Sequence, residues 1–291
     1  MELDVIHCGD CMEWLRALPD GCADMVLTDP PYGTTNCEWD TKVDMVALFA
    51  ELWRVLKHNG ALLMFAQNPF AAEMIVQERK RFRYEWVWQK TRATGFANAA
   101  KMPLRSHELI LCFYRSLPTF NACAVDNQHA HAYQKNDTGK RRWGNVYGKG
   151  KLNEKLQRSG KGERYPHDVV KAGSVNYPIH HTQKPQALCE MLIQQYTHRG
   201  ELVIDPFAGS GTTAAAARAT GRHFLSCEMD AGYHTKAVER VAAVCPPLPG
   251  TEPLGVPELR RAAAAGGCGC CDEQNTIFFD YDTCVDNGER E

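Results

Sequence analysis

The stretch Glu201 to Ala217, "ELVIDPFAGSGTTAAAA", sets a short apolar run against a turn with two glycines and an alanine-rich helix start. It reads as a buried strand that ends on Asp205 and then turns sharply. Gly209 and Gly211 let the backbone turn and approach a ligand closely, and the free N–H groups of the following helix start favour polar or anionic groups. A nucleotide-like cofactor is implied. The pattern is not the P-loop, because no Gly-Lys-Ser/Thr follows, and it lacks the third glycine of GxGxxG. The next apolar run, "HFLSCE" (223–228), ends on Glu228, about twenty residues after the glycines, where an acid takes the ribose hydroxyls in Rossmann-like sites.

Outward from this stretch, short apolar runs alternate with helical patterns. Upstream, "LDVIHC" (3–8) reads as a strand, "CMEWLRAL" (11–18) as a helix and "ADMVLT" (23–28) as a second strand. The amphipathic "DMVALFAELWRVLKHNG" (44–60) is expected to be a helix stopped by Gly60, followed by a strand at "ALLMFA" (61–66) and a helix at "PFAAEMIVQERK" (69–80). The β-rich runs "FRYEWVWQK" (82–90) and "HELILCFYRS" (107–116) have no long helix between them and are expected to pair as an antiparallel edge. Later, helices at 185–200, 212–220 and 231–244 flank strands at 201–205 and 223–228. Strands and helices alternating at this spacing predict an α/β fold with a mostly parallel sheet covered on both faces.

The apolar periodicity stops between 117 and 180, where Gly, Lys, Arg, Asn and isolated aromatics take over. Residues 135–164 carry ten Lys and Arg against three Asp and Glu, although the whole chain has a formal net charge of −2. That concentration points to an anionic partner. Beyond Val244 prolines cluster first and glycine and cysteine later, a composition that predicts a flexible tail. The expected organisation is one α/β domain in two pieces, 1–116 and 181–245, separated by an insert at 117–180 and followed by a tail at 246–291.

Composition narrows the classes. At 44% hydrophobic residues the chain has enough for a sizeable core, yet its longest apolar runs fall far short of the ~20 residues that cross a bilayer. The N-terminus "MELDVIHCGD" is acidic and polar, so no export signal and no membrane partner are expected, and the thirteen cysteines read as reduced thiols of a cytoplasmic protein. Neither "CGDC" (8–11) nor "CGCC" (268–271) has the paired spacing of a zinc site, so no metal is expected.

A second stretch, "ADMVLTDPPYG" (23–33), ends an apolar strand on a carboxylate, Asp29, and follows it with Pro30, Pro31 and the aromatic Tyr32. Open α/β sheets place ligands at that carboxyl edge. Two prolines stiffen the turn, since φ is fixed and neither has an N–H to compete for a partner.

Taken together, these motifs resemble the S-adenosylmethionine-dependent DNA amino-methyltransferases, the DNA methylase N-4/N-6 family, in the permuted beta-group order with the catalytic motif first. "TDPPYG" (28–33) is similar to the family's catalytic Asp-Pro-Pro-Tyr, and "DPFAGSGTT" (205–213) to its cofactor loop. "HHTQKP" (180–185), "CEMDAGYHTKAVER" (227–240) and "HCGDCMEWL" (7–15) resemble further family segments. The departures are His181 for a frequent proline, Ala214 for a common glycine and Ser226 for a frequent glycine.

The resemblance implies a Rossmann-like methyltransferase fold and S-adenosylmethionine as cofactor. It implies that Asp29 and the Pro30 carbonyl, in a turn held by Pro30 and Pro31, each accept one N–H of the target amine, and that Tyr32 offers its ring to a flipped-out base. Around the cofactor it places Asp205, Phe207, Gly209, Gly211 and Thr212, with Glu228 at the ribose and Thr182 and Lys184 at the methionine carboxylate. Asp10 would accept from the cofactor's adenine, or else cap the helix at 11–18. Arg141, Arg142, Trp143 and Lys149 of the basic insert would contact double-stranded DNA. An aspartate at the first catalytic position goes mostly with adenine N6, and cytosine N4 is the alternative, followed by a catalytically silent DNA-binding protein. Cytosine C5 chemistry requires a nucleophilic cysteine, usually after proline, and here only Cys245 neighbours a proline. A cognate restriction endonuclease and a homodimer are further partners that the family allows.

Overall fold

The computed structural model describes residues 1–33, 43–121, 166–173 and 183–247. Met1–Asn121 and His167–Pro253 belong to one compact unit. A second unit includes Ala122–Pro166, of which only Pro166 is described.

Among the described residues, eight strands form one sheet in the order β1-β8-β7-β2-β3-β5-β4-β6, where β1 is Val5–Cys8, β2 Ala23–Thr28, β3 Leu56–Ala66 and β4 Phe82–Thr94. β5 is Arg105–Phe113, β6 Val169–Ala172, β7 Leu202–Asp205 and β8 His223–Glu228. All neighbours are parallel except that β5 runs antiparallel to both β3 and β4. The α-helices among the described residues are α1 Cys11–Ala17, α2 Met45–Val55, α3 Phe70–Gln77, α4 Gln186–Tyr196, α5 Thr212–Ala219 and α6 Ala231–Ala242.

Strand alternation sorts the core into two layers. Ala61, Leu63 and Phe65 of β3 pack with Leu188 and Leu192 of α4 and Ala214–Ala217 of α5. Leu62 and Met64 pack on the other face with Leu48, Phe49 and Leu52 of α2 and Leu15 of α1. Each fully buried Leu or Phe contributes about 1.5–3 kcal/mol, so a slip of one residue in β3 would invert the whole set. Carboxylates start α1 and α2: Asp10 Oδ1 accepts from the N–H groups of Met12 and Glu13, and Asp44 Oδ1 from those of Val46 and Ala47. Each satisfies donors that the first helical turn leaves unpaired.

Two elements differ from the sequence expectation. α2 ends at Val55 and β3 begins at once, so Gly60 lies inside the strand and does not stop the helix. The β2–β3 register shifts here, and a Cβ on Gly60 would lie 2.8 Å from the Asp24 carbonyl oxygen. Glycine is there for a close backbone approach at an irregular strand pairing. The antiparallel β4–β5 pair is present, but its outer side is covered by β6, whose residues fall within the expected insert.

Candidate active site

The strand order lines up the predicted residues. Asp10 follows β1, Glu228 ends β8, Asp205 ends β7 and Asp29 follows β2, and these four strands are parallel neighbours in that order. The four carboxylates therefore share the carboxyl edge of the sheet. From β7 the chain proceeds outward to β8, and from β2 it proceeds the other way to β3. The β7–β2 junction is thus the switch point at which open α/β sheets take their ligands.

On the β7 side, Asp205 is buried, and its Oδ1 accepts from Thr28 Oγ1 at 3.0 Å and from the Phe207 N–H at 3.1 Å. Burial pushes its carboxyl up to about 7. Gly209 has φ +53° and its N–H donates to Glu228 Oε2 at 2.7 Å, while the Asp230 N–H donates to Oε1 at 2.9 Å. Burial also raises the Glu228 carboxyl above its ordinary value. A Cβ on Gly209 would meet nothing within 4 Å, so this backbone faces open space, whereas one on Gly211, at φ +72°, would come 3.0 Å from Ala237 Cβ. A left-handed glycine turn, open on one side and flanked by the buried Asp205 and the half-buried Glu228, fits a cofactor with a hydroxylated sugar and a cationic or amino-bearing chain.

The helix start beyond the turn is pinned by Arg240, which sequence reasoning missed. Its Nη1 donates to the Ser210 carbonyl at 3.1 Å and to Thr212 Oγ1 at 2.9 Å, and its Nη2 to Gln186 Oε1 at 3.1 Å. The Thr212 hydroxyl, expected at the cofactor, is thus engaged with α6. Asp10 sits at the far end of the row, where it caps α1.

On the β2 side, Asp29 is half-buried and held from two directions. Tyr32 Oη donates to its Oδ1 at 2.6 Å, and Lys184 Nζ lies 2.6 Å from its Oδ2. The Tyr32 ring stacks on Phe70, with centroids 5.0 Å apart and planes inclined by 30°. Pro30 is buried and Pro31 half-buried, so the turn is anchored at its centre. Lys184, expected at a methionine carboxylate, meets Asp29 and Glu108. Burial opposes its charge, but the two carboxylates outweigh burial and raise its pKa to about 12.

Glu108, Lys90 and Gln67 complete this side and were not anticipated. The available signal was a single acid inside the apolar run "HELILCF". Thr182 lies outside the described residues, as do Arg141, Arg142, Trp143 and Lys149 and the cysteines of 268–271. Among the described residues no group of three or more His, Cys, Asp or Glu is arranged to hold a metal ion, and no helix is long and apolar enough to cross a membrane.

The chain is similar to DNA methylases in sequence and in fold. The model of the N6/N4 DNA methylase family matches residues 23–239, from the start of β2 into α6. The type II methyltransferase M1.MboII of Moraxella bovis is 29% identical over 257 residues, covering 81% of this chain and 96% of its own length. M.HinfI of Haemophilus influenzae is 26% identical over 285 residues, covering 84% of this chain and 70% of its own. Among solved structures, the M1.HpyAVI–SAM complex has a TM-score of 0.54 at 21% identity, covering 81% of this chain and 98% of that one. The cytosine-N4-specific PvuII DNA methyltransferase has a TM-score of 0.58 at 15% identity, covering 82% and 90%. The family match spans both the Asp29 turn and the glycine turn, and the chain belongs to the N6/N4 DNA methylase family.

Proposed function

We propose that the chain transfers a methyl group from S-adenosylmethionine to the N6 amino group of a flipped-out adenine in duplex DNA. The observation that carries the reading is the row of strand ends in which Glu228 and Asp205 lead to Asp29. Neighbouring strands lie about 4.8 Å apart, so β8 and β2, two steps apart, separate their terminal groups by roughly 10 Å. That span suits a nucleoside held at one end and a reactive chain presented at the other. The choice of adenine rests on Asp29 as the first residue of the catalytic motif.

Bound at the glycine turn, S-adenosylmethionine supplies an electrophilic methyl group on a sulfonium. The protein's task is to activate the acceptor. The amine's lone pair is delocalised into the base, and Asp29 and the Pro30 carbonyl, each accepting one N–H, hold the nitrogen in a more tetrahedral state. A carboxylate has about four acceptor positions, so Tyr32 and Lys184 leave Asp29 room for the amine. Tyr32, backed by Phe70, forms an aromatic platform on which stacking returns about 1–3 kcal/mol per base toward the cost of flipping.

Phe207, Gly209, Gly211 and Thr212 surround the cofactor's chain and sugar in this reading, with Glu228 at the ribose and Asp10 and Thr182 at its two ends. Arg141, Arg142, Trp143 and Lys149 meet the DNA. A cognate restriction endonuclease and a second copy of the chain are the further partners it names. Asp29→Ala tests the reading: transfer to DNA is lost while affinity for S-adenosylmethionine stays within about threefold. Equal loss of both would place Asp29 in cofactor binding.

A further inference from the structure

On the side of Asp29 away from the glycine turn, four buried or half-buried charges form a chain. Lys184 Nζ lies 2.6 Å from Asp29 Oδ2 and 3.3 Å from Glu108 Oε2, and Lys90 Nζ lies 2.5 Å from Glu108 Oε1. Glu108 is 6% exposed and Lys184 8%. Gln67 Nε2 donates to Glu108 Oε1 at 2.8 Å, and Arg105 Nη1 donates to Gln67 Oε1 at 3.2 Å. Each ammonium also faces a ring, Lys184 over Phe65 at 5.1 Å and Lys90 over Trp88 at 5.2 Å.

This arrangement is costly to bury, so its presence next to the reacting carboxylate calls for a physical account. Lys184 is a point charge on a flexible four-carbon stem, and one contact with Asp29 would not fix it. Glu108 supplies a second. Its Oε2 accepts no hydrogen bond among the described residues and faces Lys184 as a charge contact. Its Oε1 is held by Lys90 and Gln67, which makes the carboxylate a rigid stop on rigid elements, β4 and β5. Lys184 then sits between two carboxylates, and Asp29 is held at Oδ2 by Lys184 while its Oδ1 accepts from Tyr32.

We propose that Glu108, clamped by Lys90 and Gln67, is a positioning residue for methyl transfer: through Lys184 it sets the orientation of the Asp29 carboxylate toward the target amine. The proposal rests on the reading of Asp29 as the acceptor of that amine. In this role Glu108 acts through Lys184 and not on cofactor or base directly, so its signature is a rate effect without a binding effect.

The experiment compares the full-length wild type with Glu108→Gln, the double variant Lys90→Gln/Glu108→Gln, and Gln67→Leu. It measures single-turnover transfer of labelled methyl to duplex DNA, affinity for S-adenosylmethionine and the thermal midpoint. Glu108→Gln is expected to keep cofactor affinity within about twofold while slowing transfer by about 10- to 100-fold, the scale on which misplacement of a reacting group acts. The double variant removes one buried charge of each sign, so it is expected to recover the thermal midpoint and keep the slow transfer. Wild-type rates in Glu108→Gln, or recovery of rate together with stability in the double variant, would overturn the proposal. Should the Glu108 variants fail to fold, Gln67→Leu at a half-buried loop position decides: slowed transfer with retained cofactor affinity supports the proposal, and unchanged transfer overturns it. Absence of transfer by the wild type itself would strike the reading of Asp29 instead.

Discussion

The Thr28 hydroxyl donates to Asp205 Oδ1 at 3.0 Å, joining the strand before the Asp29 turn to the strand before the glycine turn across 177 residues of sequence. Both side chains are buried. Thr28 immediately precedes Asp29, and Asp205 opens the glycine turn, so a shift of β7 is felt at once at Asp29. Two pieces of chain far apart in sequence thus make one site through one buried bond and the β2–β7 pairing.

That bond bears on pH. Burial raises the folded-state pKa of Asp205 from its ordinary 3.8 to about 7, so the native state prefers the protonated carboxyl. Its stabilising share is complete below 3.8 and is lost as pH rises through about 7. Relative to Asp205→Asn, which keeps an acceptor oxygen and cannot ionise, the wild type is expected to lose stability across that window, on the order of a few kcal/mol. Urea midpoints of both proteins at a series of pH values check this. Parallel profiles would mean that Asp205 is ionised in the folded protein throughout.

The two turn glycines separate folding from binding. Both adopt a positive φ, which costs an L-residue about 1–2 kcal/mol. Gly211→Ala also drives a methyl group against Ala237 of α6, whereas Gly209→Ala points into open space. Thermal denaturation is expected to show the larger loss for Gly211→Ala. Cofactor titration is expected to show a marked loss of affinity for Gly209→Ala, whose added methyl occupies the space the ligand approaches.

Most of the α/β grammar was legible because period and length settle it: the runs at 23–28, 202–205 and 223–228 are apolar on both faces, as central parallel strands must be. Gly60 misled because glycine stops helices and also permits close strand approach, and only the β2–β3 register distinguishes the two. β6 escaped notice because a four-residue strand, Val169–Ala172, at a sheet edge carries little periodicity of its own. The placement of Asp29, Asp205 and Glu228 at strand ends was legible from the apolar runs they close. Glu108 was not, since its role depends on β5 running antiparallel beside β4, which puts it opposite Trp88 and in reach of Lys90 and Lys184. Lys184 was assigned to the cofactor by resemblance, and no local pattern reveals that Asp29 and Glu108 converge on it.

Among the contacts of Tyr32 are a hydrogen bond and a ring stack that substitution can separate. Tyr32→Phe removes the 2.6 Å bond to Asp29 and keeps the ring on Phe70. Tyr32→Ala removes both. With stacking worth about 1–3 kcal/mol per base, the alanine variant is expected to bind target duplex about 5- to 150-fold more weakly than the phenylalanine variant. Gel-shift titration with cofactor present reads the difference, and equal affinities would remove Tyr32 from base binding.

The central claim is tested most directly by incubating the protein with methyl-labelled S-adenosylmethionine and duplex DNA, digesting the DNA to nucleosides and identifying the labelled one by mass spectrometry. The account predicts N6-methyladenosine in its deoxy form, lost in Asp29→Ala. Label in N4-methyldeoxycytidine would contradict the adenine assignment, and no label in DNA would contradict the account as a whole.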